Sequence, residues 1–134
     1  MSKLSMIEGI GPSYEVKLKA AGIGSVEKLL AFCAEKKGRN ALVEKTGISD
    51  KLILKWTNAA DLFRIKGVGG QFAELLEASG VDTVVELANR KPENLYKKIV
   101  EVNTEKNLVN RIPTEKDIKK WVAQAGKLPR VVNY

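Results

Sequence analysis

The chain contains no histidine and one cysteine, Cys33, among its 134 residues. Without imidazole there is no histidine-ligated metal and no Ser-His or Cys-His nucleophile pair. With a single thiol there is no zinc knuckle, no zinc finger and no internal disulfide. Cys33 sits in an apolar run with Leu29, Leu30 and Phe32, which suits a packing thiol. No apolar stretch approaches the roughly 18 residues of a membrane span. Met1-Ser2-Lys3-Leu4 leads into charge and glycine rather than into an apolar leader core. Reducing cytoplasm is therefore the expected compartment, with no membrane and no cofactor. Runs of strand formers are also short. The β-branched pairs Val84-Val85 and Val131-Val132 are too short to build a sheet.

What is present is charge and glycine. The apolar fraction of 44% suits a packed core, and the net charge of +7 favours an anionic partner, nucleic acid first. Glycines occur in a repeated setting. Ile7-Glu8-Gly9-Ile10-Gly11 and Ile65-Lys66-Gly67-Val68-Gly69 both read apolar, charged, Gly, apolar, Gly, and each opens an apolar-periodic helix. The glycines permit backbone angles that a Cβ penalises, and the apolar residue between them pins the turn inward. The second glycine leaves the amides of the next helix exposed, an arrangement suited to phosphate.

The match continues beyond the turns. Ile7 to Ile23 aligns with Ile65 to Val81 at a constant offset of 58, placing Gly22 on Gly80, Tyr14 on Phe72 and Leu18 on Leu76. Lys55-Trp56 aligns with Lys120-Trp121 at an offset of 65, so the second copy carries about seven extra residues, placed near Val100 to Arg111. Two units are expected, residues 1–62 and 63–134, both helical and packed about a shared core. Pro12 starts a helix that Gly22 ends. Ser25 caps a helix from Val26 to Lys37 that Gly38 ends, a shorter helix spans Arg39 to Lys45, and Ser49 caps the last of the unit. In the second unit, Thr83 to Glu86 reads as a capping box. Glu93 to Asn103 is a helix, Lys106 to Arg111 a further turn, and Thr114 to Asp117 caps a helix ending at Ala125.

The two turns resemble those of the helix-hairpin-helix superfamily. The whole chain is more closely similar to a largely bacterial family of small proteins with tandem hairpins, described as a domain of unknown function. Gly67-Val68-Gly69, Ala73 to Val84, Glu86-Leu87-Ala88, Pro92 to Leu95, Glu101-Val102-Asn103 and Trp121 carry this resemblance, and the first unit matches more loosely. The superfamily implies DNA binding without sequence preference, through hairpin amides and nearby basic side chains. Carried onto this chain, the candidate residues are Gly9, Ile10, Gly11, Ser13, Lys17 and Lys19 in the first unit. In the second they are Lys66, Gly67, Val68, Gly69, Gly70 and Gln71.

DNA-binding hairpins of the superfamily usually place a cation just after the second glycine. Here Pro12-Ser13-Tyr14 and Gly70-Gln71-Phe72 stand there instead. The helix after the second turn carries Glu74 and Glu77, whereas the first carries Lys17 and Lys19. The first turn is therefore expected to be the better phosphate site. From Lys106 to Arg130 seven basic residues face two acidic ones; a stripe follows if that face reaches a hairpin. Trp56 and Trp121 lie at helical spacing from Ile53 and Ile118 and are expected in the core rather than stacked on bases. No catalytic constellation is present, and no enzymatic activity is expected. The rival expectation is a protein-interaction module that uses the same turns without nucleic acid.

Overall fold

The computed structural model describes residues 2–134. Among them every regular element is helical: a 3₁₀ turn at Leu4–Met6, then α1 (Pro12–Ala20), α2 (Val26–Cys33), α3 (Lys36–Thr46), α4 (Asp50–Leu62), α5 (Gly70–Ala78), α6 (Val84–Ala88), α7 (Pro92–Lys106) and α8 (Glu115–Ala125). None of these helices is long and apolar enough to cross a membrane. The chain divides into two compact units. The first ends at Asp61 and takes in Val131–Tyr134; the second is Leu62–Arg130.

In the first unit the core gathers Leu4, Ile7, Leu18, Leu29, Leu42, Ile53 and Trp56, each at 1% exposure or less. Pro12 occupies the first position of α1, where its missing N–H has no helical partner to lose. Gly22 (φ +90°) ends the helix in a Schellman pattern: its amide bonds Lys19 C=O at 3.0 Å and the Ile23 amide bonds Leu18 C=O at 2.9 Å. The Ser25 hydroxyl caps α2 through the Lys28 amide at 3.1 Å.

The expected helix from Val26 to Lys37 is broken earlier than the sequence pattern suggests. It stops at Cys33, and Gly38 lies inside α3 rather than after α2. The reason is tertiary. A Cβ on Gly38 would run into the backbone carbonyl of Phe32, so the corner between α2 and α3 closes only over a bare Cα. The α3 helix then runs on to Gly47, whose φ of +72° and bond to Val43 C=O close it.

The second unit packs α8 against α6 and α7, and α5 against α7. Leu75, Leu76, Leu87, Ile99 and Ile118 form its centre, all at 1% exposure or less. Gly80 (φ +91°) closes α5 with the same pair of bonds as Gly22, from Gly80 N–H to Glu77 C=O and from Val81 N–H to Leu76 C=O. Two local expectations fail here. Thr83 stands at the N-cap of α6, but its side chain makes no capping bond; the reciprocal capping box forms instead at Thr114 and Asp117 on α8. Nor is there a helical turn over Lys106 to Arg111. The α7 helix continues to Lys106 and stops on left-handed Asn107. Asn103 then ties the following loop down, bonding both the N–H and the C=O of Val109 at 3.0 Å. That amide clasp satisfies the loop backbone as a helical turn would have done.

Candidate nucleic-acid interface

The two glycine turns have nearly the same backbone. Gly9 and Gly67 carry φ of +95° and +97°. The Ile10 amide bonds Ile7 C=O at 3.2 Å, and the Val68 amide bonds Ile65 C=O at 3.1 Å. Ile10 (4% exposed) and Val68 (6%) point into the core and anchor their turns. The following glycines, Gly11 and Gly69, have ordinary extended angles and act as N-caps of α1 and α5.

Each turn rests on a tryptophan. A Cβ on Gly9 would lie 3.5 Å from Trp56 Nε1, and one on Gly67 would lie 3.2 Å from Trp121 Nε1. Tyr14 meets Trp56 edge-on with ring centres 5.0 Å apart, and Phe72 lies 5.3 Å from Trp121. Both indoles are buried, so they support the turns from beneath and offer no face to a base. The Trp56 Nε1–H is buried without a hydrogen-bond partner.

A glycine N-cap has no side chain to satisfy the first amides of its helix. At α5 this leaves the amides of Gly70, Gln71 and Phe72 uncapped, with the positive end of the helix behind them. At α1, Pro12 removes one donor and leaves Ser13 and Tyr14. Gly67, Gly69, Gly70, Gln71 and Phe72 line a shallow depression of about 300 Å³. It adjoins a second, of about 430 Å³, which shares Gln71 and Phe72 and continues over Asn110, Arg111, Pro113, Thr114 and Asp117.

Cations reach the second turn from segments far along the chain. Arg111 lines the adjoining depression. The Gln124 side chain accepts from the Lys66 amide at 2.9 Å and donates to the Lys66 carbonyl at 3.3 Å, clamping the turn onto α8. On α8, Asp117, Lys120 and Gln124 follow at three- and four-residue spacing and share one face. With Gln124 on the turn and Asp117 in the depression, Lys120 stands between them. The Asp117 carboxyl is held below the ordinary carboxylate range, first by the Thr114 amide and hydroxyl and then by the charges of Lys120 and Arg111. Lys66, Arg111 and Lys120 are all exposed, and Asp117 lines the same depression as Arg111.

The sequence-derived candidates divide accordingly. Lys66, Gly67, Val68, Gly69, Gly70 and Gln71 gather at the second turn, with Val68 inward and Gln71 outward. Gly9, Ile10, Gly11 and Ser13 gather at the first, with Ser13 exposed. Lys17 and Lys19 do not join them. They occupy the last turn of α1, about 9 Å or more along the axis from Gly11. Lys19 pairs with Glu15 at 3.8 Å. Arg111 and Lys120 were the residues missed at this site. The only signal for them was the excess of basic residues after Lys106, and nothing local showed which of those faced a turn.

The sequence model of a family described as "domain of unknown function (DUF4332)" matches residues 8–128. No curated protein and no solved structure matches the chain.

Proposed function

The chain belongs to the DUF4332 family of unknown function, and we propose that it binds the phosphate backbone of duplex DNA without reading base sequence. On this reading the two units are copies of one helix-hairpin-helix. The paired φ values of Gly9 and Gly67, the paired Gly22 and Gly80 caps, and a tryptophan beneath each turn support that view.

The observation that carries the proposal is the second turn. Three uncapped amides stand at a depression lined by Gly67, Gly69, Gly70, Gln71 and Phe72; Arg111 lines the adjoining one, Lys66 is exposed beside Gly67, and Lys120 lies on the α8 face between Asp117 and Gln124. Amides suit phosphate oxygens, and cations near them displace counterions. Amide contacts to phosphate carry no sequence information, and Gln71 and Lys66 are the long side chains exposed at the turn, so little base preference is expected. This moves the favoured phosphate site from the first turn to the second. The first has one amide fewer, and its two lysines stand at the wrong end of α1.

The test is a salt titration of binding to a fluorescently labelled duplex. Each phosphate neutralised contributes about −0.9 to the slope of log K against log salt. Replacing Arg111 and Lys120 by Gln should reduce the slope by about 2, whereas Lys17→Glu with Lys19→Glu should change it less. Binding that is absent at low salt, or a slope untouched by the Arg111 and Lys120 changes, would refute this site. One observation favours the rival, a protein-binding role for the first unit. Val16 on α1 is 67% exposed, with Pro12 and Ala20, also exposed, one helical turn to either side. Under that rival, the chain shows no salt-dependent duplex binding, and Val16→Asp abolishes partner capture.

A further inference from the structure

The segment Val131–Tyr134 forms no regular secondary structure, yet almost every group on it is recognised. The Asn133 amide donates to Ala34 C=O at 2.8 Å. Its carbonyl accepts from Arg39 Nη2 at 2.9 Å, and its side-chain Nδ2 donates to Glu35 Oε1 at 2.9 Å. Val132 is buried to 2% exposure. The Tyr134 hydroxyl donates to Asn58 Oδ1 at 3.1 Å, and the Arg39 guanidinium lies 5.8 Å from the centre of its ring. The backbone and amide of Asn133 and the phenol of Tyr134 are thus met by Ala34, Glu35, Arg39 and Asn58.

Part of the seat is held by contacts that do not involve this occupant. The second guanidinium nitrogen of Arg39, Nη1, is tied to Cys33 C=O at 2.9 Å and Ala34 C=O at 3.2 Å. The corner that presents those carbonyls is set by Gly38, whose Cα lies against the Phe32 carbonyl. Nη1 thus holds Arg39 to the corner between α2 and α3 through contacts that exclude Val131–Tyr134, leaving Nη2 to serve the Asn133 carbonyl, a preorganised donor that loses little freedom on binding.

We propose that the first unit carries a recognition seat for an extended peptide of the pattern apolar–Asn–Tyr, and that the chain's own Val131–Tyr134 fills it in cis. The cis segment acts as a tethered ligand at an effective concentration in the millimolar range. A peptide of the same pattern on another protein competes for the same groups. This inference is independent of the DNA reading, which concerns other residues.

The test uses the full chain with a tail that cannot seat, Val132→Asp with Asn133→Asp, the second change setting a carboxylate against Glu35. A labelled, end-capped peptide of residues 127–134 is titrated into this variant and into the unaltered chain, with anisotropy as the readout and circular dichroism as the check on fold. The variant should keep its helix content and bind the peptide saturably. The unaltered chain should bind it at least tenfold more weakly, and a peptide carrying Asn133→Ala should bind neither. Equal binding to both chains, or none to the folded variant, overturns the proposal. Loss of helix content in the variant overturns it as well, because the segment is then an integral strut rather than a ligand.

Discussion

Gly67 and Gly69 are equal members of one sequence pattern, but the structure makes them unequal, and alanine at each should separate the shape of the turn from its chemistry. Gly67 has φ of +97°. An L residue in that region costs roughly 1–2 kcal/mol, offset by about 0.4–1 kcal/mol because alanine restricts the unfolded chain. The added Cβ would stand 3.2 Å from Trp121 Nε1, and displacing a buried ring adds roughly 1 kcal/mol, the low end of overpacking costs. Gly67→Ala should therefore lose about 1–2.5 kcal/mol, or roughly 5–15 °C in Tm for a unit of this size. Gly69 has φ of −105°, and a Cβ there meets nothing within 4 Å. Its alanine variant should be neutral or more stable by up to about 1 kcal/mol. The methyl group would nonetheless stand at the N-cap of α5, beside the amides assigned to phosphate. Gly69→Ala is thus expected to weaken duplex binding several-fold while keeping its stability. Urea and thermal unfolding followed by tryptophan fluorescence, with duplex anisotropy alongside, read both effects. If Gly69→Ala destabilised as much as Gly67→Ala, the assignment of structural strain to the first glycine alone would be wrong.

Burial pushes the Cys33 thiol above its ordinary range, partly offset by Thr57 and Arg39. It should stay unreactive toward a thiol reagent at neutral pH and react once urea unfolds the first unit; prompt reaction in the native state would contradict its burial. The Asp117 carboxyl is lowered by Thr114, so its contribution to stability is complete above the ordinary carboxylate range near pH 4 and is lost as pH falls through the depressed folded value. An NMR titration should show Asp117 titrating below a reference aspartate, and Thr114→Ala, which removes the hydroxyl but keeps the amide donor, should reverse that lowering only in part.

Much of this protein was legible residue by residue. Pro12, Ser25, Ser49 and Thr114 mark helix starts, and Gly22, Gly47 and Gly80 mark helix ends, because those effects depend on a few neighbouring backbone groups. The inward placement of Ile10 and Val68 followed from the Gly-apolar-Gly turn, and that of Trp56 and Trp121 from residue type and helical spacing. The failures share a different origin. Gly38 reads as a helix end, but it is a contact residue whose missing Cβ matters only when Phe32 is folded over it. Thr83 has the pattern of a capping box, whereas the reciprocal bond forms at Thr114. Lys17 and Lys19 follow the first turn closely in sequence, but a helix carries them away from it.

The sequence by itself determined an all-helical chain, the positions of two glycine turns and an excess of positive charge. Tertiary structure decided which charges stand at a turn. Arg111 comes to line a depression beside Gln71 and Phe72 after the loop that Asn103 ties down, and the face of α8 bearing Gln124 locks onto Lys66. It also decided that Asn133 lies against Arg39, a contact spanning 94 residues. Helix and turn preferences are written in local backbone sterics, which act over a few residues. The approach of distant side chains depends on how whole helices pack, and no short window of sequence contains that information.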